Sequence, residues 1–231
     1  MQYSKVYAGK YLLVIFAFCL ASCSAAEEAA PVNPKPLDSA VEEPIIDGNI
    51  NQVEWQNAAQ YRFAEGSDLF LMISGEHLYL AVRASGEEMI AGNVYLLAGD
   101  EISVMHTSAA LGTALYLKEG KKYQKIQDFD WCCRSRANNE SSRLEREDFY
   151  ARDGWLGANS FLGSENELEY KINLDGGMEA IAVNFLRVDE QDVRHSWPIG
   201  LEDGVSLPVK GELPEWQSFE PQGWYWLGNL Q

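Results

Sequence analysis

From residue 69 to residue 188 the apolar positions fall mostly every second residue, which is the period of a β-strand. Residues 69–74 (LFLMIS) and 77–84 (HLYLAVRA) flank Gly75-Glu76, a two-residue hairpin connection that begins with glycine. Residues 93–98, 101–106, 113–118 and 122–127 read as four more short strands, with Gly99-Asp100 and Glu119-Gly120-Lys121 in the turns. Two further strands, 167–173 and 180–188, are separated by Asp175-Gly176-Gly177, and Trp224-Tyr225-Trp226 reads as a closing strand with one face buried. One short helix is predicted from Ser142, where Ser142-Arg143-Leu144-Glu145 fits a capping box, to about Arg152. Many short strands with Gly and Asp turns predict an all-β fold: an antiparallel, jelly-roll-like β-sandwich. Strands and helices do not alternate and there is no Gly-rich phosphate loop, which argues against a nucleotide-binding α/β fold.

The N-terminal pattern is different. Lys5 and Lys10 precede an unbroken apolar run over residues 11–20 (YLLVIFAFCL). A bilayer span needs about 20 such residues, so the run suits the core of a signal peptide. Leu20-Ala21-Ser22-Cys23 resembles the lipobox read by bacterial lipoprotein signal peptidase. That resemblance implies removal of residues 1–22 and acylation of Cys23, and several acyl chains at ~0.8 kcal/mol per buried CH₂ anchor a protein stably. Ser24, rather than Asp, resembles the sorting rule for the outer membrane, so the expected place is the bacterial cell envelope. Residues 23–43, rich in Ala, Pro and Glu and without an aromatic residue, read as a disordered tether. Twenty such residues reach roughly 25 Å. Residues 44–231 are then one folded domain.

The whole chain carries a net charge of −17, and loss of Lys5 and Lys10 with the leader takes it to −19. Such a chain has no electrostatic footprint for nucleic acid, and its expected contact with membrane is through the lipid. In the domain only Cys132 and Cys133 remain, so there is no disulfide framework. On a strand their side chains point to opposite faces, one thiol buried and one exposed, with a strained vicinal disulfide as the alternative. No CxxC or HxxxH spacing completes a zinc site.

Ile46-Asp47-Gly48, Glu54-Trp55 and Ala58 resemble the opening of the family 9 carbohydrate-binding-module-like domains, relatives of the DOMON sandwich. His77 to Val82, Gly99-Asp100-Glu101-Ile102, Glu169-Tyr170-Lys171-Ile172 and Ala182-Val183-Asn184-Phe185 resemble its later strands in the same order. The resemblance implies a sandwich that binds sugar through aromatic faces. Trp55 is expected to plug one end of the core.

Loop tryptophans are the natural candidates for such faces. Trp131, Trp155 and Trp197 sit beside polar or Gly-rich segments, and Trp131 and Trp197 are the preferred ligand-binding pair. Asp130 and His195, next to them in sequence, are expected to supply hydrogen bonds. His195 also follows Asp189, Glu190 and Asp192, a group that suits a calcium edge or a solvated loop. Haem, which some relatives of the sandwich hold through Met or His, points to Met105-His106, although neighbours on a strand cannot both reach one iron. No GxSxG elbow or HExxH helix is present, so a non-catalytic module is expected and no cofactor is required. The alternatives are an assembly subunit that packs on another envelope protein, a glycan-active enzyme and a haem-binding sandwich.

Overall fold

A computed structural model describes residues 35–36, 42–63, 65–134, 139–158, 162–174, 177–188, 194–198 and 213–227. The leader, Cys23 and most of the tether lie outside the described residues, as do Asp189, Glu190 and Asp192. Among the described residues no helix is long and apolar enough to cross a membrane.

The fold is two β-sheets. In chain order the elements are β1 (Lys35–Pro36), α1 (Gln52–Trp55), β2 (Ala59–Arg62), β3 (Asp68–Ser74), β4 (His77–Arg83), β5 (Ile90–Ala98), β6 (Glu101–Thr107), β7 (Leu111–Glu119) and β8 (Lys122–Cys132). Then come α2 (Glu140–Asp153), β9 (Trp155–Ala158), β10 (Glu167–Asn173), β11 (Ala180–Arg187), β12 (Arg194–Trp197), β13 (Trp216–Gln217), a 3₁₀ turn at Pro221–Gly223 and β14 (Tyr225–Trp226). The first sheet runs β1-β3-β4-β10-β9, with β2 continuing the outer edge of β3. The second runs β12-β11-β5-β6-β7-β8-β13, with β14 beside β12 on the edge of β11. Every pairing is antiparallel except that of β1 with β3. β1 lies within the segment that composition marks as a tether, and two of its residues extend an edge of the first sheet.

Period-two alternation decides what each face buries. Leu69 and Leu71 on β3, Leu78, Leu80 and Val82 on β4, and Leu168, Tyr170 and Ile172 on β10 meet Val94 and Leu96 on β5 and Ile181, Val183 and Phe185 on β11 to form the core between the sheets. The alternate residues are also covered. Ile50, Trp55 and Ala58 of an N-terminal strap lie over Phe70, Met72, Tyr79 and Ala81 on the outside of the first sheet. Leu213, Phe219 and Trp224 cover Tyr95, Val104, Ala114 and Tyr116 on the outside of the second. Strands covered on both faces lose the hydrophobic-in, polar-out pattern and read as continuous apolar runs, as β5 does.

α2 is anchored by Phe149, which is buried and meets Trp155 edge-on with ring centroids 5.1 Å apart. Burying such a side chain contributes about 1.5–3 kcal/mol. The helix starts earlier than its capping box suggests. Asn139, not Ser142, is the N-cap, and its Oδ1 accepts from the backbone N–H of Ser142 at 3.0 Å. At the other end Gly154, at φ 72°, closes the helix with its N–H on the Tyr150 carbonyl. The closing strand also departs from simple alternation. Trp224 is buried outside the second sheet, Tyr225 between the sheets, and Trp226 is 44% exposed.

Candidate functional site

The four preferred ligand residues do not come together. Asp130 and Trp131 are on β8 and His195 and Trp197 on β12, with four strands of the second sheet between them, a spacing of about 24 Å along the sheet. Trp197 is 2% exposed, in the core between the sheets beside Tyr225, and offers no face to a ligand. Trp155 is likewise fully buried, with its indole N–H on Thr113. His195 is buried between Phe63 and Phe185, and its Nδ1 lies 2.7 Å from Glu65. Burial pushes its imidazole below the ordinary value, against the pull of the Glu65 carboxylate. Trp197 and His195 pack because β12 is one of the edges that close the sandwich, and Trp155 because β9 is another, roles that a flanking polar sequence does not reveal.

Trp131 is the exception at 40% exposure. Its ring lies across Gly112, where a Cβ would approach it to 3.0 Å, and meets His106 edge-on at 5.3 Å. Phe129 flanks it and the Arg134 guanidinium sits over its ring. Asp130 faces the other side of β8 and pairs with Arg152 of α2, so it cannot serve a ligand resting on Trp131. His106 is no haem ligand in this arrangement. Nδ1 is 2.7 Å from Asn93 Oδ1 and Nε2 is 2.9 Å from Ser108 Oγ, so both ring nitrogens are engaged. Asn93 uses its Nδ2 on the Tyr95 hydroxyl, which leaves Oδ1 as acceptor and assigns the neutral tautomer with the proton on Nδ1. Burial pushes this histidine down to about 4. Met105 points the other way, into the core between the sheets.

A groove of about 640 Å³ opens elsewhere, between the strap, α2 and the outer edge of the first sheet. The strap wall carries Ile45, Ile46, Asp47 and Asn49; the helix wall carries Arg146 and Tyr150 together with Glu145 and Glu147; Cys133, Leu156 of β9 and Lys171 of β10 line the groove as well. Two carboxylates of β10 hold the strap in place. Glu169 Oε2 accepts from the backbone N–H of Gly48 at 2.7 Å and of Asp47 at 3.0 Å, and Glu167 Oε2 accepts from Ile50 N–H at 2.7 Å. Arg83 completes the clamp by donating to Glu167 Oε1 and to the Ile50 carbonyl. Glu167, Glu169 and Lys171 stand two residues apart and so share the outer face. Burial pushes Glu169 up to about 7, against the three N–H donors that favour its charged form.

Arg146 is the unusual member of the groove. It is half-buried, and among the described residues its one hydrogen bond is to the Ile46 carbonyl at 3.5 Å. Among the described residues no carboxylate forms an ion pair with it, whereas Arg143 is paired with Glu140 and Glu147, and Lys171 with Glu43. Burial works against its charge, and the nearby Cys133, Cys132 and Glu145 work in its favour. A guanidinium offers five donors in a planar fork that fits a carboxylate, sulfate or phosphate.

The cysteines at the end of β8 also differ from the strand expectation. The strand stops at Cys132, and Cys133 takes φ 59°, a left-handed conformation. One thiol is half-buried and the other buried, both free, yet they do not face apart. The Sγ atoms of Cys132 and Cys133 and a carboxylate oxygen of Glu145 all lie within 4.8 Å of one another. Glu145 Oε1 accepts from Cys133 N–H at 3.2 Å and lies 3.8 Å from Cys132 Sγ. Burial pushes both thiols above their ordinary range. Arg146 was marked by no motif, and Glu145 only as the last residue of the capping box Ser142-Arg143-Leu144-Glu145, a helix signal rather than a site signal.

Compared with protein-family models, with curated proteins and with solved structures, the chain matches none.

Proposed function

We propose that this protein is a lipid-anchored, non-catalytic binding module of the bacterial envelope, probing its surroundings through the groove between strap and helix, and that its ligand is an anionic saccharide. The observation that carries the ligand class is Arg146, a half-buried guanidinium in the groove that, among the described residues, forms no ion pair with a carboxylate. In a chain of net charge −17 such a cation selects a negative group at one point while the surface around it repels unspecific polyanions. The groove joins apolar residues (Ile45, Ile46, Leu156, Leu162) to charged groups of both signs, with Arg146 and Lys171 offering donors and Asp47, Glu145 and Glu147 acceptors, a mixture that can orient a polar small ligand. Anchoring rests on the lipobox before Cys23.

A glycan array displaying neutral, uronate-bearing and sulfated chains tests the ligand. Binding restricted to the charged glycans, lost in Arg146→Gln, and leaving the glycans uncleaved is the expected result. Equal binding of neutral glycans, or an unchanged Arg146→Gln profile, overturns it. Palmitate labelling that is lost in Cys23→Ala tests the anchor, and labelling that survives the substitution refutes it.

A second reading, an assembly subunit, is favoured by an apolar patch. Leu117, Gln124 and Trp216 stand in one cross-strand row, with Ile126 two residues along β8, and all three hydrophobic residues are exposed. Co-purification of an envelope protein that is lost in Trp216→Glu would favour it.

A further inference from the structure

We infer that Cys132, Cys133 and Glu145 form a binding site for a thiophilic divalent cation of the zinc and cadmium kind. Three observations carry this. The first is proximity: two sulfurs and a carboxylate oxygen lie within 4.8 Å of one another, with Cys132 Sγ already 3.8 Å from Glu145 Oε1. Bond lengths of about 2.3 Å to sulfur and 2.0–2.2 Å to oxygen place tetrahedral donors about 3.5–3.8 Å apart, so the cluster needs to close by no more than roughly 1 Å.

The second is the backbone. Adjacent residues on a strand send their side chains to opposite faces. Here the left-handed turn at Cys133, φ 59°, brings both thiols to the same carboxylate. A residue with a Cβ pays a conformational cost in that region, of order 1 kcal/mol. Glycine, which would remove the cost, would also remove the thiol.

The third is charge. Among the described residues Glu145 has no ion pair with a lysine or arginine; its carboxylate contacts are Cys133 N–H and Cys132 Sγ. A dication entering as M²⁺ displaces one proton from each thiol, forms two metal–thiolate bonds and one metal–carboxylate bond, and releases two protons to solvent. The ion offsets two of the three ligand charges, and the third lies near Arg146, whose own charge Cys133, Cys132 and Glu145 favour. Two sulfurs and one oxygen suit borderline-soft ions over calcium or magnesium. A fourth position is left for water or an incoming donor.

The test uses the full chain carrying Cys19→Ser and Cys23→Ser, so that the pair holds the only thiols, purified under reduction and freed of metal. Titration with Cd²⁺ should raise a sulfur-to-cadmium charge-transfer absorption that saturates at one equivalent, and Zn²⁺ should displace it. Bound metal should also protect both thiols from a thiol reagent. Cys132→Ser, at the half-exposed position, should weaken binding by more than the roughly 10–100-fold typical of losing a supporting group. Glu145→Gln, on the helix surface, should weaken it as well. Circular dichroism of each variant separates lost binding from lost fold. Absence of the charge-transfer band in the folded, reduced protein overturns the site. So does a band that persists unchanged in Cys132→Ser, or an affinity that is unchanged in Glu145→Gln.

Discussion

The Trp55 indole N–H donates to Glu169 Oε1 at 3.0 Å, joining residues 114 positions apart. The same carboxyl takes the backbone N–H groups of Asp47 and Gly48, so one side chain of β10 fixes the turn and the helix that make up the strap. Removing it leaves three donors without their acceptor, of which the Gly48 and Trp55 N–H groups are buried and worth about 1–3 kcal/mol each when unpaired. Glu169→Leu is therefore expected to destabilise the fold by at least about 2 kcal/mol in a denaturant titration, and Trp55→Phe, which loses one donor, by about 1 kcal/mol. Equal stability of Glu169→Leu and wild type would show that the strap is not held this way.

Stability against pH should show two opposed slopes. His106 is neutral when folded, with its value pushed down to about 4 from an ordinary 6.5, so its contribution is present above pH 6.5 and is lost as the pH falls toward 4. Glu169, pushed up to about 7 from 4.5, works in reverse: the folded chain holds its proton more tightly, and stability falls as the pH rises from 4.5 to 7. Each effect is about 3 kcal/mol at full extent, at 1.36 kcal/mol per pH unit. Between pH 4.5 and 6.5 the two nearly cancel. His106→Asn should leave a fold whose stability rises on acidification from pH 7 to 4.5, and Glu169→Gln one whose stability drops from pH 6.5 to 4. Parallel pH profiles in the two variants would contradict the assignment.

Trp131 and Trp197 should separate cleanly. Trp197→Ala opens the core between the sheets and should cost about 3–5 kcal/mol. Trp131→Ala gives up aromatic contacts on an exposed face, worth about 0.5–1.5 kcal/mol each. Thermal denaturation of the two variants measures the difference, and comparable losses would refute the placement of Trp131.

Gly163 is required by close approach. A Cβ there would strike the Gly48 backbone, which is not the end of a flexible side chain and cannot swing away. The neighbouring Ser164 N–H bonds the Gly48 carbonyl at 2.8 Å. Gly163→Ala should push the strap off the sheet and open the segment around residues 44–50 to proteases. A digestion pattern identical to that of the wild type would refute it.

How much of this was legible beforehand follows from range. β10 is found at the predicted 167–173, because alternation and turn residues are local properties of the chain. β5 begins at Ile90 and β8 reaches Cys132, beyond the predicted 93–98 and 122–127, because cross-strand pairing with β11 and β7 extends them past the point where local pattern fades. The two layers that cover the outer faces left only an indirect trace, the apolar run in β5. Trp131, Trp155 and Trp197, beside polar residues, read as loop platforms, and all but Trp131 are core between the sheets.

By itself the sequence determined the strand content, the antiparallel sandwich and most element positions, since these follow from period-two patterning and turn chemistry within a few residues of each other. The tertiary structure alone decided the site. Arg146 meets the Ile46 carbonyl across 100 positions, and Glu169 meets Trp55 across 114. Cys132 and Cys133 face one carboxylate only because a single backbone angle at Cys133 turns left-handed. Which distant side chains share a groove depends on how sheets stack and how a strap and a helix are pinned to one sheet's outer face and edge, and no local spacing along the chain encodes that geometry.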